Sequence, residues 1–438
     1  MSRTASLEPA AKGGGRTRKN WCFGGHASAR TVVAGGFGAM VTVTVLVVDS
    51  MPSCAAPHRN REARERPSDA GLGRLRSLDV FRGIAVLGMI LVNAADLGGD
   101  AYPFLRHAEW EGLTLADLVF PCFLFIVGAA MGLTLQPTGR EAQRRVSLRV
   151  LRRTLLLFGL GLLSNWVHAG GLADLRIMGV LQRIALCYAA VAFVLMRVPV
   201  RAQLWLAGGV LVGYWAALAC ISVPADAGAT LFSMNLPSYV DRLLLGDEHL
   251  LRATPYDSQL DPEGLLSTLP AMVNVLAGVF CARWLAAQAR DTRTSLLLFS
   301  SGALLAGAGW AWSAVFPINK SLWTSSFVLV TSGVAAMALA LCFELVDVRS
   351  RAAWLKLCEI LGLNAIAAYL LSTWIDIGAT EVSVPLFEDE DTPYVWLRNH
   401  VLHVIPAADA SLAFAVAEIL LVSLAMYALY RRSWFLRI

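Results

Sequence analysis

Beyond residue 77 the apolar residues arrive in ten blocks of roughly membrane-crossing length: about 78–95, 115–135, 150–168, 177–196, 203–222, 265–287, 294–316, 323–346, 354–375 and 411–430. About 20 apolar residues in a helix cross the ~30 Å hydrocarbon core of a bilayer. Lipid offers the backbone no hydrogen-bond partner but itself, so such segments must be helical. The expected fold is therefore an all-α polytopic membrane protein. Composition agrees, with 56% hydrophobic and 16% charged residues against about one quarter charged in soluble domains. That balance excludes a soluble enzyme, a nucleic-acid binder and a secreted disulfide scaffold. The eight cysteines show no CxxC, and five of them (Cys122, Cys187, Cys220, Cys281, Cys342) lie inside apolar blocks, where a buried free thiol is the ordinary reading.

The loops set the orientation. Alternate loops carry 17 basic residues (six Arg in 140–153, then Arg197, Arg201, Arg283, Arg290, Arg293, Arg349, Arg351, Lys356, Arg431, Arg432 and Arg437), whereas the opposite set carries six. The positive-inside rule then gives ten spans with both termini cytoplasmic. The outward loops are 96–114, 169–176, 223–264, 317–322 and 376–410, and loop 223–264 divides the spans five and five. An odd number per half would make any structural repeat an inverted one. Residues 1–73 differ in kind, rich in Gly, Ser, Ala and Arg around one weak apolar run, 31–48. They are expected to be a disordered or mis-started leader, and residues 74–438 the functional domain.

Ionisable residues inside spans cost about 2.5–3.5 kcal/mol on insertion scales, so each needs a reason. In the first span Asp79, Arg82 and Asn93 lie within about 60° of one helix face, their ends roughly 21 Å apart. They form either a polar stripe or, for Asp79 and Arg82, an interfacial pair that fixes the helix. In the fourth span Arg176, Gly179 and Arg183 share a face, with Gln182 beside it. Arg183 is too deep to snorkel and needs a partner such as Asp117, or an anionic ligand. Of the seven histidines, His107 stands out: it opens the short segment His107-Ala108-Glu109-Trp110 that leads directly into Asp117 and the second span. His400 and His403 have no obvious third ligand, and no metal is expected.

Six segments together carry a resemblance: RLRSLDVFRGIAVLGMILVN (74–93), HAEWEGLTLADLVFPCFLFIVG (107–128), RIMGVLQRIALCY (176–188), DPEGLLSTLPAMVNVLAG (261–278), NKSLWTSSFVL (319–329) and LGLNAIAAYLLS (361–372). In this order they resemble the heparan-alpha-glucosaminide N-acetyltransferase family and its bacterial NagX-type relatives. Relatives often have Pro where this chain has Met178, which reads as a minor change at the helix entry. The resemblance starts at about residue 74 and does not include the luminal domain of the lysosomal enzymes.

The resemblance implies acetyl transfer across a membrane, from cytoplasmic acetyl-CoA as co-substrate to an amino-sugar acceptor on the far side. It places the catalytic histidine at His107 and a second functional residue at Asn93, and it suggests a homodimer in a bacterial inner membrane. On this reading His107 is either a nucleophile or a general base, Asn93 supports the oxyanion, and Asp117 or Glu109 orients the imidazole. Arg82 and Arg183, with Asp79 and Gln182 beside them, are expected at the CoA phosphates, and the Arg144, Arg145 and Arg149 cluster either joins them there or serves only the orientation signal. Trp110, Asn319, Lys320, Trp323 and Ser325 are expected at the sugar, although Trp310, Trp312 and Trp323 also fit an interfacial aromatic belt. Two rival functions share these residues: a transporter of amino sugars or peptidoglycan fragments, and O-acylation of a surface glycan.

Overall fold

The structure is a computed structural model that describes residues 28–33, 42–47, 75–97, 99–135, 139–169, 171–224, 233–252, 259–350, 353–382 and 392–436. The chain forms two units, Met1–Asp69 and Ala70–Ile438. In the first, the described backbone is an antiparallel ribbon of β1 (Ser28–Val33) and β2 (Thr42–Val47), with Ser28 opposite Val47 and Val33 opposite Thr42. The rest of residues 1–73, and with it the reading of that stretch as a leader, lies outside the described residues.

Helix is the regular secondary structure of the second unit among its described residues. Its helices are α1 (Arg76–Asp96), α2 (Leu115–Thr134), α3 (Arg140–Ala169), α4 (Val180–Arg197), α5 (Val200–Cys220), α6 (Leu236–Leu245), α7 (Thr268–Ala286), α8 (Thr292–Trp312), α9 (Ser325–Phe343), α10 (Lys356–Leu363), α11 (Ala365–Thr380), α12 (Pro393–His400) and α13 (Ala407–Arg431). Among the described residues eight are long and apolar enough to cross a membrane, and α10 with α11 would make a ninth. The expected tenth, α3, is long enough at 30 residues, about 45 Å. Its six arginines dilute the apolar stretch and carry the helix ten residues ahead of the apolar block that begins at 150.

Two close crossings fix the interior. At the α2–α7 crossing a Cβ on Gly128 would stand 1.8 Å from the Val275 carbonyl oxygen, and one on Gly278 would stand 1.9 Å from that of Phe125. At the α1–α10 crossing Gly83 and Gly362 do the same against Cys358 and Asp79. With lipid as apolar as any side chain, such backbone approach is what drives helices together. The span expected at 354–375 is instead broken, α10 and α11 meeting at 85°. Asn364 sits at the break: its Nδ2 donates to the Trp434 carbonyl at 3.0 Å and its Oδ1 accepts from the Leu436 amide at 2.9 Å. The short polar side chain thus exchanges helix continuity for a clamp on the C-terminal tail.

Candidate active site

The second helix starts with a device the local sequence dictates. Thr114 and Asp117 form a capping box, and Asp117 is fully buried. Its Oδ2 accepts from the Thr114 amide (3.0 Å), the Thr114 hydroxyl (3.0 Å) and the Ala108 amide (3.3 Å). Its Oδ1 lies 2.8 Å from His107 Nδ1. A carboxylate with three donors on one oxygen is an acceptor at the other, so Nδ1 carries the proton and Nε2 is left with its lone pair.

Lys320 closes the cluster from the turn between α8 and α9. Its Nζ lies 3.0 Å from His107 Nδ1, 3.1 Å from Nε2 and 3.7 Å from Asp117 Oδ1. A point that close to both ring nitrogens cannot lie in the ring plane without striking the carbon between them, so the ammonium stands over the face of the imidazole. Burial pushes the Lys320 ammonium below the usual lysine range, with Asp117 and Glu263 pulling the other way. The two loops are joined by a backbone bond from the Gly112 amide to the Ile318 carbonyl, 2.9 Å.

A cavity of about 600 Å³ runs through the bundle from this cluster. His107, Lys320, Glu263 and Asn93 line one end, and Arg82, Arg153, Gly362 and Leu436 line the other, with Phe120, Phe123, Val127, Ile184 and Ile366 among the apolar walls between. Arg82 and Asn93 are 11 residues apart on α1, which puts them on one face about 16 Å from each other. Arg82 Nη1 bonds Asp79 at 3.2 Å and the Gly362 carbonyl at 3.3 Å. Arg153 lies over the Tyr188 ring, 4.8 Å from its centroid.

Behind the cluster, Arg176 is clamped by Asp261 (2.6 and 2.8 Å) and Glu263 (2.6 Å). Burial works to raise the Glu263 carboxyl, but Arg176, Arg183 and Lys320 outweigh it and hold it below the usual range. This acidic loop supplies Glu263 to the cavity wall. The motif DPEG was visible in the sequence, but nothing in it pointed toward His107.

Several expected site residues have other partners. Arg183 is fully buried and does not pair with Asp117. It donates to the Gly264 carbonyl (3.1 Å) and the Ser267 hydroxyl, and lies 4.7 Å from the Trp323 ring centroid. Asp117 already has four donors and Lys320, leaving Arg183 to the 264–267 turn. Trp323 is fully buried rather than in a belt, its Nε1 donating to Asn274 Oδ1 at 2.9 Å between the rings of Phe120 and Phe327. It adopts φ +53°, strained for a bulky residue, and its amide bonds the Lys320 carbonyl at 3.0 Å. Trp323 therefore anchors the turn that presents Lys320. Asn319 Oδ1 accepts from the Leu322 amide within that turn, and Ser325 Oγ donates to the Leu211 carbonyl. Gln182 is buried beside a second cavity, and Trp110 is half-buried in the His107 loop.

Two curated relatives match the chain. Both are named heparan-alpha-glucosaminide N-acetyltransferase. The one from Homo sapiens is 32% identical over an alignment of 330 residues, covering 63% of this chain and 49% of the relative. The one from Mus musculus is 31% identical over 330 residues, covering 63% and 50%. The chain thus spans about half the length of the curated relatives it matches. Residues 74–309 match the family model described as heparan-alpha-glucosaminide N-acetyltransferase, catalytic. His107, Asp117 and Glu263 all fall inside that stretch, and the chain belongs to the heparan-alpha-glucosaminide N-acetyltransferase family.

Proposed function

We propose that the protein is a transmembrane N-acetyltransferase that carries an acetyl group from cytoplasmic acetyl-CoA to the amine of a glucosamine-type sugar on the outer side. The observation that carries this is a cavity with arginines at one end and the His107–Asp117–Lys320 cluster at the other. Read with the loop charges, it belongs to a ten-span domain with both termini cytoplasmic, α3 and the α10–α11 pair each counting as one span.

In this reading Arg82, held by Asp79, and Arg153 bind the CoA phosphates near the cytoplasmic face. The thioester reaches His107 along the apolar passage. His107 Nε2 takes the proton from the sugar amine as its nitrogen attacks the thioester carbonyl; the C–S bond breaks, and the thiolate is protonated in turn. In the alternative order, Nε2 itself accepts the acetyl group and passes it to the amine. Asn93 donates to the carbonyl oxygen as charge develops there, and Asp117 holds the imidazole in the reactive tautomer. Lys320 and Trp110 contact the sugar, while Trp323, Asn319, Ser325 and Arg183 hold the Lys320 turn in place.

A transporter built from inverted repeats breaks helices at matching places in both halves. Here α10–α11 is broken in the second half, while α1 to α5 each run as one helix, with Pro121 inside α2. Purified protein with radiolabelled acetyl-CoA and glucosamine tests the proposal. Wild type should form acetylglucosamine and His107→Ala should not. Label held on the wild-type protein before sugar is added supports the acetyl-histidine order. Absence of turnover by folded wild type that moves glucosamine across a bilayer supports the transporter instead.

A further inference from the structure

Among the described residues lining the catalytic cavity, Lys320 is the sole lysine. Of the 37 Lys and Arg residues in the chain, only Lys12, Lys19, Lys320 and Lys356 are lysines. An arginine at this position would carry the same charge and stay protonated, whereas a desolvated lysine gives up its proton readily and becomes a nucleophile. The Lys320 side chain is 17% exposed, with Nζ 3.7 Å from Asp117 Oδ1. Burial pushes its ammonium below the usual lysine range, which enlarges the neutral fraction.

Its placement is that of an acceptor amine. Nζ lies 3.0 Å from His107 Nδ1 and 3.1 Å from Nε2. From its position over the ring face, a rotation about the flexible four-carbon stem brings Nζ into the ring plane beside the Nε2 lone pair. An amine next to a base, at the end of the passage that delivers the thioester, is the arrangement the sugar amine itself must reach. The backbone under Lys320 is fixed, because its carbonyl accepts from the Trp323 amide at 3.0 Å and Trp323 is fully buried.

We propose that Lys320 is a self-modification site: with acetyl-CoA bound and no sugar present, Lys320 Nζ takes the acetyl group itself. This rests on the part of the acetyltransferase reading that brings acetyl-CoA to His107. His107 Nε2 takes one proton from the Lys320 ammonium, and the freed Nζ lone pair bonds to the acetyl carbonyl carbon. The C–S bond breaks, and a second proton leaves Nζ with the CoA thiolate as thiol. The products are an acetyl-lysine amide, free CoA and a protonated His107 that returns its proton to water. The amide is neutral, so the charge facing Asp117 is lost, and its acetyl group fills the space beside Nε2. The protein is thereby switched off when its acceptor runs out.

The test incubates purified protein with acetyl-CoA and no sugar, strips any acetyl-histidine with hydroxylamine, and maps the remaining acetyl groups by peptide mass spectrometry. Lys356, its side chain 47% exposed, controls for uncatalysed reaction with the reagent. We expect one stable acetyl group on Lys320, added at least about tenfold faster than on Lys356 because base and thioester are held beside it. One CoA should be released per group added, with glucosamine turnover lost in proportion. Saturating glucosamine should protect Lys320, and His107→Ala should slow the modification roughly 100-fold. In Lys320→Arg the turnover that remains should not decline during preincubation. Lys320 left unmodified by protein that turns glucosamine over, modified no faster than Lys356, or modified at the same rate in His107→Ala overturns the inference and leaves acetyl transfer standing. Lys320 modified by protein that acetylates no amino sugar keeps the inference and overturns the amino-sugar reading.

Discussion

Replacing Asp117 by asparagine isolates the orienting function of the carboxylate. An Asn side chain has one oxygen, and the three donors from Thr114 and Ala108 that now meet Oδ2 fix that oxygen on their side. The amide nitrogen then faces His107 Nδ1 at the 2.8 Å contact. Two donors cannot share that contact, so the imidazole must move its proton to Nε2, the atom needed as base or nucleophile. Fixing the wrong tautomer in a carboxylate–histidine pair costs about 10³–10⁴ in kcat, or roughly 4–5.5 kcal/mol at ~1.36 kcal/mol per decade. The cap survives in the variant, so folding should not be compromised. Asp117→Ala, by contrast, orphans buried donors at about 1–3 kcal/mol each. Single-turnover transfer from radiolabelled acetyl-CoA to glucosamine, beside a thermal melt, reads both effects. An Asp117→Asn protein that melts like wild type and turns over within about tenfold of it would refute the orienting role.

Three further outcomes are expected. Arg153→Ala, measured by acetyl-CoA titration, should raise KM for acetyl-CoA about 10- to 100-fold with little change in kcat, because a charge-assisted phosphate bond is lost away from the reacting atoms. Burial pushes the Asp241 carboxyl up to about 6, with the Leu265 and Leu266 amides opposing. Its protonated form is therefore the one the fold prefers; that contribution is fully present below about pH 4 and is lost as pH rises through about 6, a loss of roughly 3 kcal/mol. Wild type should melt higher at pH 5 than at pH 7.5 through this group, and Asp241→Asn should flatten that difference. Gly128→Ala places a methyl 1.8 Å from a carbonyl oxygen. Forced apart, α2 and α7 should lose about 1–3 kcal/mol of stability, seen as a lower melting temperature in detergent.

Much of the scaffold was legible because lipid enforces it. The positions of most helices, the stripe holding Arg82 and Asn93 on one face, and the proximity of His107 to Asp117 follow from periodicity and short-range spacing. The break at Asn364 was not, since the apolar block runs through it and the residues it clamps lie some 70 positions later. Arg183 called for a partner, but spacing cannot choose between a carboxylate and a distant carbonyl and aromatic face. Trp323 read as a sugar contact or a belt residue because a tryptophan near a span end has the same local sequence whether it meets a ligand, headgroups or a buried asparagine. Arg153 was hidden among six arginines that the orientation rule had already explained.

The central claim is that one cavity delivers the acetyl group to a sugar on the opposite face. The most direct test seals the protein into vesicles with acetyl-CoA confined to the face bearing residues 140–149 and membrane-impermeant labelled glucosamine confined to the other. The account predicts acetylglucosamine on the sugar side and free CoA on the arginine side, with neither formed by His107→Ala. Product that appears only when both substrates share one face would contradict it.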